Sequence, residues 1–463
     1  MSTQVIGNSD FYNGAFPAEY SNALSGVFDM HLRNGNNQKY EHAFQVGLMG
    51  IDLASEGPIN KKRGSSYLVN YRFSTTSLAS GNDINLKYQD LAFKLNFPTR
   101  KAGTFSIWGL GLIDRNKADV LERSKWETMG DRSSGYNKLE KLAGGLAHKY
   151  VLDENTYIRS SLSATYSKDR SMADLHTDND LDYKVSPYLG LNKPMEQISK
   201  GSGESTVLSA YSSSVINLSN NLTTSLGVTG QYFTLNKNWS IEPRVALKWK
   251  INPAHSLAAA YGLHSRRERL DYYFVEQIIN GKKESNRYLD FSKAHHFGFT
   301  YDWNINQSLH LKIEPYYQYL FHIPVEENSS FSIINYEEFY LDRILTNTGI
   351  AKNYGIDITL EQYMKNGFYY MITASLFKSK YRGGDRIWRN TRLDKSFLVN
   401  LLAGKEWMVG RLKQNVLSVN GRLFFQGGGR YTPVDEEKSQ EEKDIVFDES
   451  KAYTKRFNPS ING

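Results

Sequence analysis

The chain is 463 residues long, carries 56 Lys and Arg against 49 Asp and Glu, and contains no cysteine. The missing cysteines exclude a disulfide scaffold, a cysteine metal cluster and a thiol nucleophile. No stretch reaches the roughly 20 consecutive apolar residues of a spanning helix. The net charge of +7 is spread without a basic run longer than Lys61, Lys62 and Arg63, which reads as a mixed solvated surface rather than a nucleic-acid footprint.

The N-terminus, MSTQVIGNSDF, has no basic-then-apolar leader pattern. From about residue 40 the sequence alternates with period two, the signature of strands with one apolar face. Leu91, Phe93, Leu95 and Phe97 alternate with Ala92, Lys94 and Asn96. Ile158, Leu162, Ala164 and Tyr166 alternate with Arg159, Ser161, Ser163 and Thr165. In LTTSLGVTGQYF, Leu222, Leu226, Val228 and Tyr232 oppose Thr223, Ser225, Thr229 and Gln231. Ile241, Val245, Leu247 and Trp249 oppose Glu242, Arg244 and Lys248. Leu309, Leu311, Ile313 and Tyr317 oppose Lys312 and Glu314, and Leu417, Val419, Leu423 and Phe425 close the series.

These segments run roughly 9 to 13 residues, the length of a tilted strand crossing a bilayer, where globular strands average nearer 5 or 6. Aromatic residues gather near segment ends, at Tyr166, Tyr232, Phe233, Trp249, Tyr317 and Tyr319, as membrane-interface girdles do. Short turn-rich connections (LDEN 152–155, SNN 219–221, NPAH 252–255, KNG 365–367) alternate with long ones (116–134, 170–203, 267–292, 325–350, 381–395). Together these features point to an all-β chain, a transmembrane antiparallel β-barrel of about 17 strands with its apolar face on lipid and its polar face on a lumen. The lumen then receives Arg159, Glu242, Arg244, Lys248, Lys312, Glu314, Asp357 and Glu361. The charged stretch after residue 433 shows no further alternation, which leaves a free sheet edge that lipid does not tolerate.

Enzyme signatures are absent: no G-x-S-x-G elbow, no H-E-x-x-H and no phosphate loop. The chain is therefore read as a non-enzyme, with a barrel enzyme or a soluble β solenoid or adhesin as the alternatives. His295 and His296 are strand neighbours and point to opposite faces, so they do not chelate together. Asp178, Asp180 and Asp182 in TDNDLDY suit a solvated acidic loop, with loop calcium as the alternative reading; no other cofactor is expected. The loop FSIINYEEFYLDR offers Phe331, Tyr336, Glu337, Glu338, Phe339, Tyr340 and Asp342 either as a ligand-capture surface or as loop self-packing. The segment HSRRERLDYYF at 264–274 stands out as basic for an open loop.

Several ordered segments carry a resemblance: GAFPAEYSNALSGVFDMHLRNGNN at 14–37, LDFSKAHHFGFTYDWNI at 289–305, NTGIAKNYGIDITLEQYMKNGFYYMITASLFKSKYRG at 347–383, and RNTRLDKSFLVNLLAGKEW and NGRLFFQGGGRYTPVD beyond it. This run resembles TonB-dependent outer-membrane receptors, in the style of Bacteroidetes-type receptors with a carboxypeptidase-like regulatory domain. The resemblance implies a 22-stranded barrel closed by a plug. Its extracellular loops capture an iron chelate, cobalamin, glycan or peptide, and an inner-membrane TonB complex drives import to the periplasm. It places the chain in the outer membrane of a Gram-negative bacterium, against lipid and lipopolysaccharide and away from nucleic acid. On this reading residues 1–38 are the end of the plug, 39–432 an incomplete barrel and 433–463 an extracellular loop or truncated tail. Glu19 then fixes the plug to the wall. The signal peptide, coupling box, most of the plug and the last strands are expected to lie outside the sequence, which makes the chain a piece of a receptor.

Overall fold

The alternating segments pair into one curved antiparallel sheet. A computed structural model of the chain describes all residues except 1–4, 14–15, 25, 48–49, 75–84, 123, 125–132, 176–195, 337–340, 413, 443–445 and 463. Nineteen described strands belong to the sheet. All but two run seven residues or more, from Glu41–Gly47 to Asn415–Gln426; the others are the three-residue pieces Trp388–Asn390 and Ser460–Asn462. The strand order is cyclic. Yet among the described residues no register joins Ser460–Asn462 to Glu41–Gly47, so the wall has a seam there rather than a continuous ladder.

Ser460–Asn462 pairs with Phe424–Gln426, so a further strand does follow Phe425, contrary to the sequence expectation. The reason is ionic. Arg430 Nε donates to Asp394 Oδ2 at 2.9 Å, and Arg456 donates to the carbonyls of Asp394 and Lys395 at 2.8 Å. A charged tail is thereby anchored to the wall without any period-two pattern. It also carries the helix Glu436–Glu442 and the pairing of Arg430–Tyr431 with Lys455–Arg456.

Alternation decides the two faces. In Leu222–Phe233, Leu226 and Val228 are 46% and 45% exposed on the outside, while Thr229 and Gln231 are 1% and 3% exposed within. The outer face is thus an apolar band of the kind a bilayer covers. Exposed aromatic and long apolar side chains mark its short-turn edge at Trp249, Tyr363, Phe368, Trp407 and Met408, and Tyr232, Trp239 and Trp388 lie toward the other. Phe233, expected in the girdle, is instead buried inside against Tyr273 and Phe291, at ring distances of 5.1 and 6.4 Å. It ends its strand where the long loops fold inward, and the apolar cluster they bring supplies its partners.

Among the described residues the short turns 61–64, 99–103, 154–155, 220–221, 251–254, 305–308, 366–367 and 410–414 fall at one end of the sheet; the long loops fall at the other, which also carries the four-residue connection 234–237. At the long-loop end, segments 267–291, 326–336 and 341–345 turn into the barrel mouth. They build an apolar cluster with Leu270, Tyr273, Leu289, Phe291, Ile323, Leu341 and Tyr381. A separate hairpin, Ile6–Asn13 with Gly26–Leu32, is not part of the wall sheet. Arg33, just past it, grips Glu56 of the wall with two hydrogen bonds of 2.6 Å, a bidentate fork that fixes orientation as well as distance. Lys94 Nζ donates to the Leu32 carbonyl at 2.8 Å.

Candidate functional site: an inner latch and the chamber above it

Between the two hairpin strands the chain runs along the inner wall, and residues 16–24 are held there by a buried polar group. Pro17 opens a turn, closed by the Tyr20 amide donating to the Pro17 carbonyl at 3.2 Å. Arg244 Nη1 donates to the carbonyls of Phe16 (3.3 Å), Pro17 and Tyr20. Its other terminal nitrogen donates to Glu242 Oε2 at 2.7 Å, and its guanidinium lies 5.0 Å from the Phe16 ring centroid. Glu242 Oε1 in turn accepts from Gln231 Nε2 at 2.6 Å and from Ser265 Oγ. Thr229 Oγ1 donates to the Ala18 carbonyl. Glu242, Arg244, Gln231, Ser265 and Thr229 are all buried. A buried ion pair is tolerated when most of its remaining donors and acceptors are met; here backbone carbonyls of the inner segment meet Nη1, while the buried Arg244 Nε has no partner.

Register explains why the segment can come so close. Gly227 and Gly262 lie directly across from Arg244 on its two neighbouring strands. A Cβ at position 227 would sit 2.5 Å from the Ala18 Cβ, and one at 262 would sit 2.4 Å from His264 Nε2. The missing side chains make the room into which Ala18 and the His264 ring pack. The Phe16 ring lies 4.0 Å from His264, tilted at 50°, and His264 lies 4.4 Å from His296. His295 points the other way and bonds the Tyr261 hydroxyl at 3.0 Å, so the two adjacent histidines do occupy opposite faces. Lower down, Arg159 and Glu19 form an ion pair at 3.2 Å that ties the inner segment to the wall.

The expected lumen charges lie on the inner face in two groups. Glu242 and Arg244 belong to the latch, with Arg159 beside Glu19. Lys248, Glu314 and Asp357 line an inner cavity of about 420 Å³ on the short-turn side of it. Lys312 pairs with Glu314 at 2.7 Å, and Glu361 stands across from His310.

Above the latch, toward the long loops, lies a chamber of about 830 Å³. Its floor is the inner segment at Asn22 and Leu24. One side is polar, with Asn137, Lys141, Ser167 and Asp169; the opposite side is apolar, with Leu320, Ile323, Ile333, Ala351 and Leu393. Residues Arg266 to Tyr272, from the segment singled out as basic, close a third side. Arg269 is held above its ordinary pKa: burial opposes its charge, but Asp271, bonded at 2.8 and 3.1 Å, overrides it. Arg267 is pushed down by burial. Its guanidinium has the Glu268 carbonyl at 3.2 Å and the Phe233 ring at 5.8 Å, and no carboxylate within ion-pair distance among the described residues. Its backbone amide donates to Asn22 Oδ1 at 2.9 Å, tying the loop to the chamber floor.

Of the aromatic loop, Tyr336 lines the chamber and packs edge-on to Tyr272 at 6.2 Å. Phe331 packs on Tyr336 at 5.3 Å and under Arg343 at 4.8 Å, within its own loop. Asp342 is exposed, and its carbonyl accepts from Gln277. Glu337, Glu338, Phe339 and Tyr340 lie outside the described residues, as do Asp178, Asp180 and Asp182. Among the described residues no group of three or more His, Asp or Glu side chains is arranged to hold a metal ion. Sequence reasoning missed Arg33, Glu56 and Gln231 as anchors and Arg267 as a chamber residue. Only the basic run around Arg267 gave a signal.

The fold is that of the outer-membrane transporters and receptors with a large antiparallel barrel. No protein-family model and no curated protein matches the sequence. Solved structures do. The outer-membrane transporter YddB from Escherichia coli matches with TM-score 0.59 at 12% identity, over 100% of this chain and 78% of that one. The pyoverdine outer-membrane receptor FpvA from Pseudomonas aeruginosa, bound to pyoverdine, matches with TM-score 0.56 at 12% identity, over 94% and 74%. The FrpB iron transporter from Neisseria meningitidis matches with TM-score 0.54 at 11% identity, over 92% and 76%.

Proposed function

We propose that this chain is the barrel and inner plug segment of a TonB-dependent outer-membrane receptor, which captures a solute in the mouth chamber and passes it to the periplasm. The carrying observation is that the chamber floor, Asn22 and Leu24, belongs to the same segment that Arg244 latches to the wall. A solute resting in the chamber rests on the plug, so moving the plug opens a path beneath it. Solved neighbours that are themselves transporters and receptors support this reading. The apolar band faces outer-membrane lipid and lipopolysaccharide, the long loops face outward, and the inner-membrane TonB complex supplies the energy. Nothing in the site calls for a catalytic role.

Orientation tests the proposal. Gly281 is the tip of the exposed hairpin Glu276–Ile279 with Lys282–Ser285, and Gly410 lies in a short turn at the opposite end. A protease site inserted at Gly281 is expected to be cut in intact Gram-negative cells expressing the chain, and one at Gly410 only after the outer membrane is permeabilised. Recovery of the folded chain in the soluble fraction, or the reverse cutting pattern, would contradict it.

A further inference from the structure

Three charged side chains around the chamber make no ion pair of their own, although Lys141 and Arg269 attract the Asp169 carboxylate at longer range. Lys141 and Arg267 have no carboxylate within ion-pair distance among the described residues, and Asp169 has a fully buried Oδ1 that no donor reaches. The neighbouring charges are satisfied: Arg266 bonds Glu268 at 3.1 Å, Glu268 accepts from Ser292 at 2.6 Å, and Arg269 is taken by Asp271. Unpaired groups in a partly desolvated site are costly until a ligand of opposite charge arrives. Two cations and one anion therefore ask for a molecule carrying both signs. Asn137 also lines the chamber, and its carboxamide can donate and accept as an amide backbone requires, while Asn22 Oδ1 is taken by the Arg267 amide and Asn353 is bonded to Gln318 and Ser379. The facing wall offers Leu320, Ile323, Ile333, Ala351 and Leu393 beside the smaller polar Ser379 and Thr391, and the chamber tyrosines Tyr272 and Tyr336 are packed against each other rather than spread as a platform for flat rings or sugar faces.

We propose that the chamber takes a short zwitterionic peptide with apolar side chains. Its free carboxylate lies on Arg267 and Lys141, its ammonium group on Asp169, and its side chains on the aliphatic residues of the facing wall. A chamber of about 830 Å³ falls within the roughly 300–1,000 Å³ of small-ligand sites, which limits the peptide to a few residues. This substrate class rests on the receptor reading above and narrows it.

The test uses the whole chain purified in detergent and three probes: trileucine, its N-acetylated form and its C-terminal amide. Titration calorimetry is expected to show that either cap weakens binding by about tenfold or more, the loss of one charge-assisted bond. Asp169→Asn should abolish the discrimination against the acetylated peptide alone, and Arg267→Gln the discrimination against the amide alone. The capped peptides need no variant, so a folding defect cannot hide the answer. Equal binding of all three peptides overturns the proposal. So does binding of maltohexaose or a ferric trihydroxamate, lost in Arg267→Gln, with trileucine silent; the receptor reading then stands. Silence of every probe overturns the peptide class, and only if Gly281 also escapes cutting from outside does the receptor reading fall with it.

Discussion

Arg244→Leu is expected to free residues 16–24 from the wall. The change removes the donor for three backbone carbonyls and leaves Glu242 as a buried carboxylate with only Gln231 and Ser265 as donors. Breaking one partner of a buried pair costs about 3–5 kcal/mol. Because the carbonyls belong to the inner segment, the loss falls on its docking more than on the strand ladder. Limited proteolysis of the folded chain in detergent should show new cleavage within 16–24 while the wall strands stay protected. Arg244→Lys should be intermediate, since a point charge cannot serve several carbonyls in the fixed geometry of the guanidinium fork. Unchanged proteolysis in Arg244→Leu would show that the latch does not hold the segment.

The second large effect concerns the outer face. Val245 lies midway along Asn238–Lys250 and points outward. On a lipid-facing wall, Val245→Arg should cost about 2–4 kcal/mol, measured by denaturant titration of folding into lipid vesicles. On a water-facing wall the same change at an exposed position would fall within about 0.5 kcal/mol. Ser225→Arg, on the inner face where two cavities meet, should cost much less than Val245→Arg. Equal small effects at both positions would remove the case for a bilayer.

The wall was legible because its physics is local. A strand with one face in lipid must alternate, and Leu226 against Thr229 shows that alternation in the sequence itself. Turn-rich residues between the segments also marked which connections are short. The latch was not legible in the same way. Glu242 and Arg244 could be placed on the inner face, but the partners of Arg244 are carbonyls of Phe16, Pro17 and Tyr20, more than 220 residues away, and any residue type supplies a carbonyl. The role of Gly227 was equally hidden, since a strand glycine signals a close approach without naming what approaches. Phe233 was misplaced because it follows the outward aromatic Tyr232 at a strand end; only the inward fold of the loops, which have no periodicity, gives it an interior. The basic segment at 264–274 was visible as an anomaly. That Arg269 finds Asp271 while Arg267 does not depends on side-chain directions that spacing alone leaves open.

On this account the apolar face meets lipid and the polar face surrounds the inner segment and the chamber. The chain contains no cysteine, so single cysteines can be labelled without background. Nitroxide labels at Val245→Cys and Phe299→Cys, outside, and at Ser225→Cys and Thr300→Cys, inside, should be read in lipid vesicles by collision with oxygen and with a water-soluble nickel chelate. The outer pair is predicted to favour oxygen and to exclude nickel, and the inner pair to show the reverse. Labels that respond alike on the two faces, or an outer pair open to nickel, would contradict the barrel, and with it the receptor built on it.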